Sequence, residues 1–330
     1  MREDEQRGEQ PREEWLPDVL GPDWVARTLV LTPDSEGEVV ATLVRRAGTP
    51  GSRRAVLYVH GFVDYFFQTH VADELAAHGY DFYALDLRKY GRSLRAHQTP
   101  NYVTELADYA EELDRAARII RTDEGHTDLV VLGHSTGGLV ASLWADARTR
   151  AGAPSPVDAL VLNSPWLDLN ESWFQRVVTT RLIDLVGPLV PMLPVGKVQP
   201  HYGRALHAGS GGEWDYDLAW KPHDGFPARA GWLRAIRRGH TRVARGLAIA
   251  CPVLVLTSTA SGSAKTLHDA LVTTDSVLDV EQIAARAPGL GPDVTLVQVP
   301  GGAHDLALSP EPARSAFFAA MLDWLADRQA

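Results

Sequence analysis

Most of the chain alternates between continuous apolar runs and segments with helical periodicity. Strands that are buried on both faces of a parallel sheet have this continuous apolar character, and their alternation with helices is typical of α/β proteins. We therefore predict an α/β fold with a mainly parallel sheet flanked by helices. The apolar runs predicted as strands are 55–59, 81–87, 129–133, 159–163, 252–258 and 294–299.

Two further patterns complete the predicted framework. Residues 28–31 and 39–45 are rich in β-forming side chains and flank the turn-forming segment 33–37, which predicts an antiparallel hairpin at a sheet edge. Residues 103–120 carry apolar side chains at steps of three and four, which predicts a helix with one apolar face. That face comprises Leu106, Tyr109, Leu113, Ala116 and Ile120, and further helices are predicted over 138–148 and 312–326.

Residues 166–250 interrupt this alternation of apolar runs and helical segments. A connection between neighbouring strands seldom needs 85 residues, and this one holds five of the nine tryptophans. We predict an inserted cap, or lid, at 166–250 over one end of the sheet, with the core of the fold in 15–165 and 251–330. Residues 1–14 include nine charged side chains, which predicts a flexible tail.

Charge and cysteine content exclude several classes of protein. The 330 residues include 42 acidic side chains against 32 Lys plus Arg, without a basic stripe, so we expect no nucleic-acid partner. Cys251 is the only cysteine, which leaves no intramolecular disulfide. The charged N-terminus lacks the apolar segment of a secretory signal. These features predict a cytoplasmic protein.

The most apolar interval of the chain, 177–198, is not predicted to span a membrane. Arg181 and Asp184 interrupt it, and three prolines break its helical hydrogen bonding. A spanning helix needs about 20 mostly apolar residues with satisfied backbone groups. We therefore expect no integral membrane association, and the sequence pattern does not indicate an oligomeric state.

The strongest chemical signal is a G-x-S-x-G motif at residues 133–137, with Ser135 at its centre. The motif lies between a predicted strand and a predicted helix, where small residues allow the backbone to turn sharply. Such a turn raises the serine hydroxyl above the sheet and places neighbouring amides at a helix N-terminus, where developing negative charge is favoured. Ser135 is therefore the candidate nucleophile.

A serine hydroxyl needs a base within hydrogen-bond reach to attack a carbonyl near neutral pH. His304 follows the last predicted strand and precedes the C-terminal helix, in a Gly-Gly-Ala-His-Asp loop. A loop at that position would bring the imidazole over the carboxyl edge of the sheet, close to Ser135. His304 is therefore the candidate base.

The acid that orients the imidazole should lie between the serine and the histidine in the chain. We favour Asp275 in this role. The alternate acid is Asp279, and Asp269 and Asp168 are further alternatives. Aspartate is also favoured at helix N-caps, so Asp275 or Asp279 could serve only to cap the helix predicted to begin near residue 280.

Acyl transfer also needs hydrogen-bond donors for the oxyanion. The backbone amides of Phe62 and Thr136 are the candidates, and Gly61 would allow the backbone to approach closely. Because the donors are amides, the side chain of Phe62 is expected to matter less. The residues expected to shape the substrate pocket are His60, Gly61, His134, Trp166 and Trp214.

These motifs resemble those of the α/β-hydrolase superfamily, within its branch of monoacylglycerol lipases, lysophospholipases and serine aminopeptidases. The matching segments are the oxyanion loop 60–62 with Asp64 after it, the turn 86–93, the nucleophile turn 133–138 and the histidine loop 302–304. In the turn 86–93, Lys89 replaces a glycine of the family pattern. A second departure is that Asp275 lies 17 positions after Ser258, so that 259–274 resembles an insertion.

The resemblance implies a hydrolase that cleaves a carboxylic ester through a Ser-His-Asp triad and an acyl-enzyme, without a metal or organic cofactor. Cap tryptophans and the apolar interval 177–198 could line a groove for a hydrophobic ester such as a monoacylglycerol, or could equally form the core of the cap itself. Two alternatives stay open. One is a peptidase that binds its substrate's amine through Glu213, Asp215 and Asp217, and the other is a non-catalytic binding protein with the same fold.

Overall fold

The computed structural model describes residues 14–152, 155, 157–169 and 187–328. The strands within this part of the chain are β1 (Leu16–Asp18), β2 (Gly21–Asp34), β3 (Gly37–Arg46), β4 (Arg54–Val59), β5 (Tyr80–Asp86), β6 (Asp128–His134), β7 (Ala159–Asn163), β8 (Pro194–Gly196), β9 (Ala228–Arg229), β10 (Val253–Ser258) and β11 (Val294–Val299). Nine of them form one sheet in the order β1-β2-β3-β5-β4-β6-β7-β10-β11. The strands from β5 to β11 in that order are parallel, and β1, β2 and β3 form an antiparallel edge. The predicted mainly parallel α/β sheet is confirmed.

Helices cover both faces of the sheet. They are α1 (Thr69–Ala77), α2 (Ala110–Arg118), α3 (Thr136–Arg150), α4 (Pro200–Leu206), α5 (Ala230–Ala244), α6 (Val280–Arg286) and α7 (Ala313–Asp327). Successive residues of β4 point to opposite faces, so that Leu57 packs into one core and Tyr58 into the other. Helices α1 and α7 bury their apolar side chains in the Tyr58 core, and α2, α3, α5 and α6 bury theirs in the Leu57 core. Burial on both faces explains the continuous apolar runs in the sequence.

The six apolar runs all form strands whose bounds lie within one residue of the predicted ones. The hairpin is also confirmed, as the antiparallel pair β2 and β3. The predicted helix over 103–120 is wrong in its bounds. Glu105 is extended, with φ −137° and ψ 130°, and a 3₁₀ turn at Leu106–Tyr109 precedes α2. The buried side chains of Tyr102 and Val103 therefore belong to a loop that packs into the core.

Between β7 and β10 the chain forms α4, α5 and a separate two-stranded sheet of β8 and β9. The bounds of a cap at 166–250 stay a prediction, because residues 170–186 of that interval, with Trp173, lie outside the described residues. Residues 1–13 of the predicted tail and residues 177–186 of the apolar interval 177–198 also lie outside the described residues. In the part of the chain that the structure describes, no helix is both long and apolar enough to cross a bilayer.

Lys89 occupies the position at which the family pattern that the sequence resembles has glycine. The backbone conformation of Lys89 explains why glycine is preferred there. Its φ is 64°, in the left-handed region that is unfavourable for residues with a side chain. The side chain is only 1% exposed, and its Nζ lies 2.5 Å from Asp34 Oδ2 and 2.5 Å from Glu36 Oε2. These ion pairs tie the turn after β5 to the turn between β2 and β3.

We expect Lys89→Met to remove a pH-dependent part of the stability. Partial burial would raise the pKa of Asp34 and of Glu36, but the hydrogen bond from Lys89 to each carboxylate contributes to a net lowering of both pKa values. Carboxylates whose pKa is lowered by folding add stability that is complete above about pH 5 and is lost as the pH falls below it. In urea unfolding, the wild type should therefore lose more stability than the variant on acidification from about pH 6 to pH 3. Equal losses would contradict this role for Lys89.

Cys251, two residues before β10, is buried, and burial raises the pKa of its thiol to about 11. The thiolate is the reactive form of cysteine. We expect Ellman's reagent to modify Cys251 of the native protein at least about 10-fold more slowly than that of urea-unfolded protein. Equal rates would show that the thiol is exposed in solution.

Candidate active site

Two loops meet at the carboxyl edge of the sheet because β4 and β6 are neighbours. The chain passes from β4 to β5 on one side, whereas β6 lies on the other side of β4. Such a change in the direction of strand order opens a crevice at the carboxyl ends of the strands. The loop after β4 carries Phe62, and the turn from β6 into α3 carries Ser135.

Ser135 forms a sharp turn between β6 and α3, as the G-x-S-x-G motif predicted. Its φ of 52° and ψ of −117° are rare for a residue with a side chain, and such strain is typical of functional turns. The turn also needs the glycine two residues on, because a Cβ at Gly137 would overlap the carbonyl oxygens of Val59 and His60. The hydroxyl of Ser135 is thereby held at the edge of the crevice.

The loop between β11 and α7 brings His304 to this serine. The Nε2 atom of His304 lies 3.0 Å from Ser135 Oγ, which is hydrogen-bond distance. The side chain is largely buried, and Tyr202 of α4 approaches its ring edge-to-face at 6.1 Å between centroids. The structure therefore brings the predicted nucleophile and the predicted base together.

Asp275 is fully buried on the far side of the imidazole. Its Oδ1 and Oδ2 lie 3.0 Å and 3.1 Å from His304 Nδ1. Oδ1 also accepts the backbone N–H groups of Val277 and Leu278, at 3.0 Å and 2.7 Å. These bonds fix the carboxylate in the orientation in which it faces the histidine.

The long interval between β10 and Asp275 begins and ends at the carboxyl end of β10. The N–H of Asp275 donates to Ala260 O at 2.9 Å, and the N–H of Gly262 donates to Asp275 O at 2.7 Å. The residues from 263 to 274 therefore form a loop that leaves the carboxyl end of β10 and returns to it. This pairing explains how an acid so far along the chain reaches the histidine.

The other candidate acids have different partners. Asp279 caps α6, where its Oδ1 accepts the N–H groups of Glu281 and Gln282. Asp168 forms an ion pair with Arg286 at 2.7 Å. Asp269 begins a 3₁₀ turn. The structure places Asp275, and none of these three, against His304.

The amides of Phe62 and Thr136 lie in the two loops that meet at Ser135. Among the described residues, neither amide donates a hydrogen bond to another group. The ring of Phe62 stacks on Trp232 of α5, at 4.1 Å between centroids, so the side chain also connects this loop to α5. Gly61 passes close to the nucleophile, because a Cβ on it would lie 3.2 Å from the Cβ of Ser135.

Burial lowers the pKa of His60 and of His134, so both side chains favour the neutral form. His60 Nε2 accepts the N–H of Leu87 at 3.0 Å, which leaves Nδ1 as the donor to Gly61 O at 2.8 Å. His134 Nδ1 lies 3.3 Å from Asn163 O. Both histidines therefore contact and support the backbone around the site.

A cavity of about 440 Å³ lies over Ser135 and His304. Gly61, His134 and Trp166 line it, as predicted. Trp214 was expected there but lies outside it, because its Nε1 donates to Leu308 O and its ring stacks on His70. His60 is fully buried below the cavity rather than at its surface. The apolar part of the wall includes Leu169, Val195, Val198, Leu206, Trp232, Leu233, Val277, Leu278 and Leu308.

One ion pair also faces the cavity. Lys221 Nζ lies 2.5 Å from Asp64 Oδ1, and both residues line the wall. Burial would raise the pKa of Asp64, but the positive charge of Lys221 contributes to holding it below its usual value. The resemblance had singled out Asp64, whereas no signal in the sequence pointed to Lys221 or to Tyr202.

Comparisons with known proteins show a family and several relatives to which this chain is similar. A family model described as serine aminopeptidase, S33, matches residues 50–311. A monoacylglycerol lipase from Mycolicibacterium smegmatis is 29% identical over 146 residues, which cover 43% of this chain. The chain spans about half of that relative, since the match covers 48% of its length.

Solved structures with the same fold include two lipases. A soluble variant of the Saccharomyces cerevisiae monoglyceride lipase, with a substrate analogue, superposes with a TM-score of 0.63 and 15% identity, covering 97% of this chain and 96% of that one. The monoacylglycerol lipase of Paleococcus ferrophilus has a TM-score of 0.62 and 19% identity, covering 88% and 99%. These similarities show that the chain has the α/β-hydrolase fold.

Proposed function

Because the chain belongs to the serine aminopeptidase S33 family of α/β-hydrolases, we propose that it cleaves hydrophobic carboxylic esters through Ser135, His304 and Asp275. The observation that carries the proposal is the continuous hydrogen-bond path from Ser135 Oγ through both ring nitrogens of His304 to Asp275. A nucleophile, a base and an orienting acid in this geometry are suited to acyl transfer.

In the proposed reaction, His304 Nε2 takes the proton of Ser135 Oγ as the oxygen attacks the acyl carbon. Asp275 keeps Nδ1 protonated and stabilises the imidazolium. The amides of Phe62 and Thr136 donate to the oxyanion. His304 then protonates the departing alcohol, and the same base activates the water that releases the acid from the acyl-enzyme.

The cavity supports a hydrophobic substrate. Its volume of about 440 Å³ lies within the range of roughly 300–1,000 Å³ that is usual for small-molecule sites. Trp232 and Leu206 contribute apolar surface to its wall, and polar side chains such as that of His223 also line it. A monoacylglycerol, which pairs an acyl chain with a small polar alcohol, fits an apolar cavity that also holds the Asp64–Lys221 pair.

A peptidase is the second candidate because of the family description, but the acidic residues expected to bind an amine lie away from the cavity. Glu213 forms an ion pair with Arg314 at 2.6 Å, and Asp217 Oδ1 accepts the N–H of Ala219. The side chain of Asp215 is 94% exposed. None of the three lines the cavity over Ser135, and the carboxylate of Asp64 there is neutralised by Lys221.

Substrate comparison tests the proposal. We expect the protein to hydrolyse p-nitrophenyl esters, with kcat/KM rising with acyl length until the cavity is filled, and to release fatty acid from monoacylglycerols. Aminoacyl anilides should be turned over more slowly. Anilide turnover above ester turnover would indicate a peptidase, and no turnover of either would favour a binding protein.

A further inference from the structure

Asn163, at the carboxyl end of β7, contacts both the nucleophile turn and the loop that carries His304. Its backbone carbonyl oxygen accepts the N–H of Ser135 at 3.0 Å. Its side-chain Nδ2 donates to Asp305 Oδ1 at 2.7 Å, and its Oδ1 accepts the N–H of Leu306 at 3.2 Å. One residue thus holds the nucleophile turn and the two residues that follow His304.

Asp305 is the centre of this arrangement, and it is 2% exposed. Oδ1 also accepts the N–H of Ala307 at 3.1 Å, and Oδ2 accepts Gln68 Nε2 at 3.2 Å. All of these donors are neutral amides, and within the described residues no cation forms an ion pair with this carboxylate. Burying a carboxylate without a cation is costly, so neutral hydrogen bonds in this number indicate a specific role.

We propose that Asp305 is a positioning residue, which holds His304 at Ser135 through Asn163 and adds a second buried negative charge beside the imidazole. The inference rests on the proposed function. Asp275 fixes the orientation of the ring from its Nδ1 side, whereas Asp305 fixes the backbone that carries the ring. The charge of Asp305 favours the imidazolium that forms as Ser135 attacks.

Charged and titratable groups face His304 from several elements. Asp275 lies on the loop between β10 and α6, and Asp305 lies on the loop of His304 itself. His134, at 4.9 Å between ring centroids, favours its neutral form because burial lowers its pKa. Burial likewise raises the pKa of Tyr202, which stays neutral. The Asp64–Lys221 pair across the cavity carries no net charge. Of these groups, Asp275, in contact with Nδ1, and Asp305, the next residue in the chain, are therefore the buried carboxylates that have no paired Lys or Arg among the described residues.

The test is the rate at which a fluorophosphonate labels the serine, measured against pH. Labelling needs the serine and a neutral histidine but no ester substrate. Asp305→Asn should lower the maximal rate about 10-fold or more, because a small displacement of a catalytic group is costly. It should also move the acid limb of the profile to lower pH by about half a unit or more, because the imidazolium loses a negative neighbour.

Asp146→Asn is the matched control. Asp146 is equally buried, in α3, but is paired with Arg150 and Arg242 away from the site. It should lower Tm without moving the acid limb. The proposal is overturned if Asp305→Asn keeps the wild-type pH profile of labelling. It is also overturned if Asp305→Asn loses no more labelling rate than Asp146→Asn does for the same loss of Tm.

Asn163→Ala is the second variant, in case Asp305→Asn does not fold. It removes the side-chain bonds to Asp305 and Leu306 but keeps the backbone bond to Ser135 and the charge of Asp305, so labelling should slow about 10-fold without a shift of the acid limb to lower pH. Labelling at the wild-type rate would overturn the proposal. A wild type that is not labelled at all would instead refute the proposed function, and this inference with it.

Discussion

Replacing Ser135 with alanine is expected to lower kcat for ester hydrolysis by about 10⁴- to 10⁶-fold. The substitution removes only the hydroxyl group, whose oxygen, Ser135 Oγ, lies 3.0 Å from His304 Nε2. Without it no acyl-enzyme forms, and the residual rate comes from substrate binding and the oxyanion donors. The effect should appear in kcat, with KM changed by much less.

Ser142→Ala is the control for this substitution. Ser142 lies on the same helix, α3, and is fully buried, where its Oγ donates to Gly138 O at 2.7 Å. Its removal should cost a small amount of stability, as a lost neutral hydrogen bond does, and leave kcat within a few-fold of the wild type. Equal losses in the two variants, or an active Ser135→Ala protein, would rule out Ser135 as the nucleophile.

Replacing Asp275 with asparagine is expected to lower kcat by about 10⁴-fold. The N–H groups of Val277 and Leu278 both donate to Oδ1, so the amide oxygen of an asparagine must take that position. Its NH₂ group then faces His304 Nδ1 and favours the tautomer with the proton on Nε2. That tautomer cannot accept the proton of Ser135.

Asp279→Asn separates this effect from helix capping. Asparagine caps helices about as well as aspartate, so the N–H groups of Glu281 and Gln282 keep their acceptor. We expect kcat within a few-fold of the wild type and a small change in Tm. If Asp279→Asn were the more damaging of the two substitutions, Asp279 would take the role of the acid.

The parts of the site that the sequence predicts are those determined by neighbouring residues. Ser135 is recognised because strand, turn and helix follow one another within a few residues, and His304 because it follows the last strand of the sheet. The choice between Asp275 and Asp279 stayed open because it depends on the backbone hydrogen bonds of Ala260 and Gly262 with Asp275. These bonds bring the two ends of a long loop together. Sequence spacing alone does not reveal that pairing.

Side chains that reach the site from distant segments were predicted less well. Trp214 is an aromatic residue in the right interval, yet it lies outside the cavity, where its Nε1 donates to Leu308 O. Lys221 and Tyr202 reach the cavity wall from the same interval without a motif to mark them. A tryptophan-rich composition predicts apolar surface, but the tertiary contacts decide which rings line the substrate cavity.

Labelling of the wild-type protein by a fluorophosphonate, followed by peptide mass spectrometry, tests the central claim most directly. We predict one phosphonyl group per chain, on Ser135, with ester hydrolysis lost in parallel with labelling and with no labelling of Ser135→Ala. Folded protein that stays unlabelled, or that hydrolyses esters while fully labelled at Ser135, would contradict the account.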